Sequence, residues 1–307
     1  ENNIQESIAQ VYIQILYAAE SVKVNENTLQ VSIAQRDRGQ ELLNAGSIAK
    51  SDLAQLEAQV STDRYQLVTA QATLEDYKLQ LKQLLELDGE NEMNIYLPAL
   101  SDENVLAPLP TKRDVYISAL SLRPEIEASK LNVEASELGI NIAKSSYFPT
   151  ISLSAGIGTN HTSGSDFTFG EQVKNGWNNS IGLSVSVPIF NNRQTKSAVQ
   201  KAKLQYETSM LSLLDEQKAL YKTIESLWLD ANSAQQRYAA ANEKLKSTQI
   251  SYELISEQFN LGMKNTVELL TEKNNLLQAQ QEQLQAKYMA ILNTQLLKFY
   301  QGDQLAL

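Results

Sequence analysis

The sequence predicts a mainly α protein, built from long coiled-coil helical hairpins with one β-hairpin between them. Three observations carry this prediction: a helical hairpin that occurs twice, apolar residues that recur in alternating steps of three and four, and a short region where the period changes to two. Glycine and proline are scarce, at 12 and 6 of 307 residues, which disfavours an all-β chain.

The composition excludes several classes of function. A formal net charge of −10 disfavours nucleic-acid binding, because phosphates are bound by clustered lysine and arginine. Cysteine is absent, so thiolate metal sites and cysteine nucleophiles are excluded. There is no run of 18 apolar residues, so we expect no transmembrane helix. The chain opens at Glu1 without a signal peptide, so an exported protein would be present here in processed or truncated form.

The helical hairpin is repeated along the chain. Gly46 and Gly262 lie 216 residues apart, and the same offset pairs Asp52 with Glu268. Each glycine stands between two long helical patterns, and the next helix begins within a few residues. We therefore predict two copies of the αα unit, one centred on each glycine.

The hairpin helices have coiled-coil spacing. A pattern free of proline runs from about Gln194 to Phe259 and predicts one helix of roughly 100 Å. Several of its seam positions are small or polar, among them Ala231, Ala234 and Thr248. Such side chains suit helices packed side by side in a wall with one wet face, and so favour a hollow assembly. The full predicted seams are Leu53, Leu56, Val60, Asp63, Leu67, Ala70, Leu74, Tyr77, Leu81 and Leu84, and then Leu227, Ala231, Ala234, Tyr238, Ala241, Leu245, Thr248, Tyr252, Ile255 and Phe259.

The sequence between the two helical hairpins follows other patterns. Residues 88–113 have the proline content of a connector, and a helical pattern follows from about Lys112 to Ser146. The period then becomes two in Ile151–Gly158 and again in Ile181–Ile189, with apolar residues alternating with serine and glycine. These two strands and the polar loop 159–178 between them predict a β-hairpin.

Aromatic residues mark the ends of the two predicted strands: Tyr147, Phe148, Trp177 and Phe190. An apolar face, a small polar face and aromatic ends are typical of transmembrane β-barrels. The same alternation also fits a half-buried hairpin on a soluble helical body, and the pattern alone leaves both interpretations open. A lone hairpin cannot span a membrane, so the barrel interpretation requires further strands.

Three separated motifs resemble the TolC-like outer-membrane efflux protein family. They are Leu122–Ile126 with its Arg-Pro-Glu centre, Tyr147–Ile151, and Gly182–Asn191, where a strand runs into the long helix. With the glycine-centred hairpins, the resemblance covers essentially the whole chain. It implies a trimer that combines an α-barrel with a transmembrane β-barrel of four strands per protomer. Only the second repeat is complete here, so the resemblance implies that the first helix and first strand pair are missing.

The resemblance also implies an export duct rather than an enzyme, located in the bacterial outer membrane with its helices in the periplasm. Its expected partners are a second and third copy of the chain, outer-membrane lipid, a periplasmic adaptor and, through the adaptor, an inner-membrane pump. Drugs, other toxic compounds or secreted substrates would pass through it, and no cofactor, metal or nucleic acid is expected. The alternative is a soluble coiled-coil scaffold, or an adaptor with helical hairpins.

The resemblance assigns adaptor contact to the two hairpin tips: Ala45, Gly46 and Ser47 in the first, and Leu261, Gly262 and Met263 in the second. Each tip glycine is equally explained by the turn that a helical hairpin needs, since glycine tolerates a positive φ. The two interpretations are compatible.

A pore gate is the second site that the resemblance implies. Asp52 and Glu268 would form an acidic constriction, with Phe259 and Lys264 at positions of the family's latch. A ring of carboxylates can select cations and help to gate a pore. The simpler explanation is helix capping, because acids favour a first helical turn and Asn265 has capping-box spacing to Glu268.

Two other features fit no site. His161 is the only histidine, so it is a poor metal site, and Trp228 and Tyr12 are expected to be packing residues.

The predicted organisation comprises a first hairpin (1–87, tip at 44–48), a connector (88–113), a helix (114–146), a β-hairpin (147–190, loop 159–178), a long helix with the second hairpin (191–300, tip at 260–264) and a C-terminal tail (301–307).

Overall fold

The computed structural model describes residues 2–87, 95–96 and 105–303. The predicted connector therefore lies largely outside the described residues, as does the end of the tail. In chain order, the elements are α1 (Asn2–Asn44), α2 (Lys50–Leu84), α3 (Lys112–Leu122), α4 (Pro124–Ser145), β1 (Thr150–Gly158), α5 (Phe169–Asn175), β2 (Asn178–Ser186), α6 (Gln194–Asn260) and α7 (Thr266–Gln301).

The predicted fold class is confirmed: long helical hairpins with one small antiparallel sheet. Helix α6 runs for 67 residues without interruption, within one residue of the predicted bounds. All ten of its predicted seam positions are buried or half-buried, and the same is true of α2 except at Leu84. The alternating three–four pattern therefore identifies the packed face of both helices.

The prediction of a single helix from Lys112 to Ser146 is wrong, because the structure has two helices there, α3 and α4. The break falls at Arg123, whose φ of −78° and ψ of 121° are extended. Pro124 is the cause: its ring disfavours the helical conformation in the preceding residue, while proline itself suits the first position of the next helix.

The β-hairpin pairs its two strands in a register that separates two faces. Ile151 lies opposite Val185 and Leu153 opposite Leu183, whereas Ser152 lies opposite Ser184 on the other face. Directly opposed residues share a face of an antiparallel pair. The sheet thus has one apolar face and one face of serine and glycine, as the alternation predicts.

Two details of the predicted hairpin need correction. Strand β2 spans Asn178–Ser186 rather than Ile181–Ile189. It ends before Pro188 because proline lacks the backbone N–H that a ladder needs. The loop is not irregular throughout but contains α5. That helix has a complete capping box, in which the Thr168 side chain accepts from the Glu171 N–H and the Glu171 carboxylate accepts from the Thr168 N–H.

The chain divides into two compact units. Residues 1–122 with 220–307 form one, and its core contains Leu16, Tyr238 and Leu296 from three different helices. Trp228 donates to the Pro110 carbonyl at 3.0 Å, which supports the packing role expected for it. The other unit, residues 123–219, contains α4 and the β-hairpin. Among the described residues, none of the helices has both the length and the apolarity needed to cross a bilayer.

Helix α2 ends on a residue that is poorly suited to its backbone. Glu86 has a φ of 53°, and the Leu87 N–H donates to the Lys82 carbonyl at 2.9 Å, which closes the helix as a glycine normally does. We expect Glu86→Gly to raise the free energy of unfolding by about 0.5–1 kcal/mol, since glycine removes the left-handed strain. Gln83→Gly, inside the same helix, should lower it by about 1 kcal/mol in a parallel denaturant titration. Equal destabilisation by both variants would contradict this explanation.

Candidate functional site at the helical tips

The first tip joins α1 to α2 through a glycine-dependent helix end. Gly46 has a φ of +72°, its N–H donates to the Leu43 carbonyl at 2.9 Å, and the Ser47 N–H donates to the Leu42 carbonyl at 2.8 Å. This is the Schellman arrangement, in which a left-handed residue lets two backbone N–H groups reach carbonyls of the last turn. Ala45, Gly46 and Ser47 are all exposed.

The second tip repeats this geometry between α6 and α7. Gly262 has a φ of +74° and donates to the Phe259 carbonyl at 2.9 Å, and the Met263 N–H donates to the Gln258 carbonyl at 2.8 Å. Leu261 and Met263 are 75% and 70% exposed, which is unusual for large apolar side chains. The internal repeat is therefore structural as well as sequential, and the second tip presents apolar surface.

Neither tip glycine is required by crowding, since a Cβ atom at either position would meet nothing within 4 Å. The backbone conformation alone requires glycine. The turn explanation is thus sufficient for both glycines, and the exposed surroundings leave room for a contact.

One apolar cluster holds the two tips together. Leu56 of α2, Phe259 of α6 and Leu269 of α7 are buried in it, and Leu42 of α1 packs against them. Phe259 is only 2% exposed. Its ring therefore supports the tips from within and is not available to line a water-filled constriction in this conformation.

Asp52 is half-buried in the first turn of α2. Its Oδ2 accepts a hydrogen bond from the Ala49 N–H at 3.0 Å, which satisfies one of the free donors at the helix start. Ala49 has no side-chain oxygen to return the bond, so only half of a capping box is formed.

Glu268 occupies the equivalent position in α7 and is held more tightly. Its N–H donates to Asn265 Oδ1 at 2.9 Å and its Oε2 accepts from the Asn265 N–H at 3.2 Å, so the predicted capping box is present. Its other oxygen accepts from the Lys264 ammonium. The hydrogen bond from Lys264, and next the one from the Asn265 backbone, lower the pKa of the Glu268 carboxyl below its ordinary value of 4.5.

This geometry predicts a pH dependence at the second tip. The folded pKa of Glu268 is depressed, so its contribution to stability is present above pH 4.5 and is lost as the pH falls through the folded pKa. Lys264→Gln should bring the pKa back towards its ordinary value, because the strongest partner of the carboxylate is removed. Carbon NMR of selectively labelled glutamate checks this, with Lys246→Gln, a surface lysine elsewhere on α6, as the control that leaves Glu268 unchanged. An unaltered Glu268 pKa in Lys264→Gln would rule out the assignment.

The four aromatic residues expected at a membrane interface are all exposed: Tyr147, Phe148, Trp177 and Phe190.

His161 lies in the loop between the strands, where Nδ1 is 3.1 Å from Gln172 Oε1 and the ring meets that of Phe169 edge-on. Among the described residues no cluster of histidine, aspartate and glutamate could hold a metal ion.

The sequence interpretation missed a set of polar links between the two hairpins. Lys273 of α7 forms a buried ion pair with Asp63 of α2 and also donates to Ser32 of α1. Nearer the tips, Gln35 Nε2 donates to the Tyr252 hydroxyl at 2.8 Å. One signal was available: Asp63 occupies a seam position among apolar residues, so a buried cation opposite it could have been anticipated.

The described residues thus combine a β-hairpin with segregated faces and two long helical hairpins with glycine tips. Residues 115–302 match the outer membrane efflux protein family. This match covers well over half of the chain, so the chain belongs to that family, which is one of efflux channels and not of enzymes.

Individual relatives agree with this assignment. The chain is 24% identical over 294 residues to the outer membrane efflux protein BepC of Brucella suis biovar 1 (strain 1330), covering 95% of this chain and 61% of BepC. It is also 24% identical to the outer membrane protein TolC of Escherichia coli (strain K12), covering 93% of this chain and 58% of TolC. The chain thus spans about three fifths of the length of these relatives.

Solved structures show the same fold. The channel CusC aligns with a TM-score of 0.80 at 19% identity, covering 97% of this chain and 68% of CusC. The outer membrane protein VceC of Vibrio cholerae aligns with a TM-score of 0.76 at 16% identity, covering 99% of this chain and 70% of VceC. The fold and the family together favour the channel interpretation over the soluble scaffold and the adaptor.

Proposed function

We propose that this chain forms part of the exit duct of a tripartite efflux system in the bacterial outer membrane. The β-hairpin carries the proposal. Its apolar face, including Ile151, Leu153 and Leu183, is fully open, while serine and glycine occupy the opposite face. Lipid on one side and water on the other would satisfy both faces, as in a transmembrane barrel.

Closure of the barrel requires other strands, because a two-stranded sheet leaves backbone groups unpaired at both edges. We propose that they come from further copies of the chain in a homotrimer and from sequence that the longer relatives contain. Exposed leucines on the helices support association: Leu131 and Leu138 on α4, and Leu204 and Leu211 on α6, are each spaced by seven residues. A second helix packed on each stripe would bury it.

The two tips are proposed to dock the hairpins of a periplasmic adaptor, which connects the duct to an inner-membrane pump. Their exposure supports this role, in particular the apolar Leu261 and Met263 beside Gly262. Bare glycine backbone also permits close approach of a partner. The relatives include proteins named for toxin and drug export and for cation efflux, so drugs, other toxic compounds or secreted substrates are the proposed cargo.

Site-specific cross-linking in intact cells tests the docking. A photoreactive residue placed at Ser47 or Met263 should form an adduct with the adaptor, identified by its mass, whereas one at Tyr65 should not. Tyr65 is a suitable control because it is 69% exposed but lies in the body of α2. Adaptor adducts from Tyr65 and none from the tips would overturn the proposed docking site.

Asp52 and Glu268 are proposed as the acidic constriction of the closed duct. Both stand one turn into the helix that follows a tip, and neither is buried in the described conformation. Lys264 already pairs with Glu268, so Asp52 carries the less compensated charge. Three copies of each acid around a common axis would attract cations and repel one another, which favours a responsive gate.

Channel recordings test the gate assignment. In planar bilayers, Asp52→Asn and Glu268→Gln in the full-length protein should reduce cation selectivity and change conductance, with the larger change from Asp52→Asn. Glu243→Gln, an exposed acid on α6 that pairs only with a surface lysine in the described contacts, should leave both properties unchanged. No response to either tip variant would refute the gate.

A further inference from the structure

Polar contacts between the α1–α2 and α6–α7 hairpins are spaced at three-residue intervals along α1. Ser32, Gln35 and Arg38 each bond to the second hairpin, through Lys273, Tyr252 and the Asn260 carbonyl respectively. The Arg38 link is long, at 3.3 Å, and exposed, and the Gln35 link is only partly buried. Of these three described links, only the one at Ser32 is fully buried, so it is the one that can impose a lasting constraint.

The buried cluster at Ser32, which we name the polar lock, consists of Ser32, Asp63 and Lys273. They are 2%, 2% and 3% exposed. The Lys273 ammonium donates to both the Ser32 hydroxyl and an Asp63 oxygen, and the Ser32 hydroxyl donates to that same oxygen. Gln59 donates to the other Asp63 oxygen at 2.8 Å. The Lys273 ammonium and both Asp63 oxygens therefore each have at least one hydrogen-bond partner.

Stability alone does not explain such a cluster. Burial lowers the pKa of the Lys273 amine, because the interior disfavours its charge. A well-packed apolar set at a buried ion pair is often as stable or more so. Lys273 and Asp63 both lie in seams otherwise filled by apolar residues such as Leu56 and Leu270. The cluster therefore calls for a role other than adding stability.

A coiled-coil seam of apolar residues specifies axial register weakly, because a shift by one heptad again places apolar residues opposite one another. Such a shift moves a helix by about 10 Å along its axis. Lys273 can reach Asp63 and Ser32 in one register only, since a shift would leave both charges buried and unpaired. A single polar residue in a seam is known to fix register in this way.

We propose that the polar lock fixes the axial register of the α6–α7 hairpin against the α1–α2 hairpin, and so holds the two tips at one relative height. Helices α1, α2 and α7 each contribute one member, so none of these three helices can slide alone. The Gly46 and Gly262 tips then form a single composite surface. The inference concerns geometry within the chain and does not depend on export.

Distance measurement by pulsed electron paramagnetic resonance tests the lock. This chain contains no cysteine, so spin labels at Ser47→Cys and Leu261→Cys can report the separation of the two tips once any cysteine elsewhere in the full-length protein is replaced. Both sites are exposed, and labelled full-length protein is diluted with unlabelled copies so that distances within one protomer dominate. The parent should give one narrow distance distribution.

The decisive variant is the double replacement Asp63→Leu with Lys273→Met, which removes both charges and keeps a packed seam. The expected result is a broadened distribution, or a second component displaced by up to about 10 Å, the axial shift of one heptad. The matched control is Glu243→Leu with Lys246→Met, an exposed pair on α6, which should leave the distribution narrow. A folded double variant with the parent distribution would overturn the proposal.

Asp63→Asn keeps the test decisive if the double variant does not fold. It retains the shape of the side chain and a hydrogen-bonding group, but removes the charge that attracts Lys273. The tip distribution should broaden with it, and an unchanged distribution would again overturn the lock. If the parent protein gives a narrow tip-to-tip distance distribution but conducts no ions, that result counts against the proposed duct and not against the lock.

Discussion

Replacing Lys273 with methionine is expected to lower the free energy of unfolding by about 3–5 kcal/mol, the cost of breaking a buried ion pair by removing one partner. Methionine fills nearly the same volume, so the loss arises from the Asp63 carboxylate, which stays buried without its cation. Denaturant titration of the full-length protein, followed by the helical circular dichroism signal, measures the change.

The matched control for this prediction is Lys246→Met. Lys246 forms an exposed pair with Glu243, and such pairs contribute about 0–1 kcal/mol. A Lys273→Met variant as stable as the Lys246→Met variant would show that the ion pair is not buried as described. Adding Asp63→Leu to Lys273→Met should restore much of the lost stability, because no unpaired charge remains.

Phe259→Ala is expected to cost about 3–5 kcal/mol, the usual penalty for removing a fully buried aromatic side chain. The ring fills the cluster between Leu56 and Leu269, so its removal leaves a cavity shared by both hairpins. The tips should loosen together, and hydrogen exchange of backbone amides on both sides of Gly46 and Gly262 should increase.

Met263→Ala is the control for the Phe259 prediction. Met263 lies three residues after Asn260, the last residue of α6, and is 70% exposed. Its replacement should change stability by no more than about 0.5 kcal/mol. If Phe259→Ala increased hydrogen exchange only around Gly262, the apolar cluster around Phe259 would not be what joins the two tips. Equal stability of the two variants would place Phe259 on the surface, where the gate interpretation had put it.

The repeated, periodic parts of the fold could be predicted from the sequence. The seam of α6 and the two glycine tips follow from local rules, since coiled-coil spacing and left-handed glycines each report on a few neighbouring residues. The two faces of the β-hairpin follow in the same way from a period of two. The bounds of β2 were predicted inexactly and the helix break before Pro124 was missed, because proline acts on one residue within a longer pattern.

The contacts between the hairpins could not be predicted, because they join residues far apart in sequence. Lys273 is 210 residues from Asp63, and no local sequence pattern predicts that the seams of α7 and α2 pack against each other. The buried position of Phe259 has the same origin, since its cover comes from α2 and α7. The roles of Asp52 and Glu268 in a gate depend on neighbouring copies of the chain and remain a proposal.

Single-channel recording tests the central claim most directly. The full-length protein that carries this chain, purified and inserted in a planar lipid bilayer, should produce discrete conductance steps with a preference for cations. That preference should fall when Asp52 and Glu268 are both neutralised, because the proposed constriction then loses its charge. A correctly assembled protein that produces no conductance would contradict the account of this chain as part of an export duct.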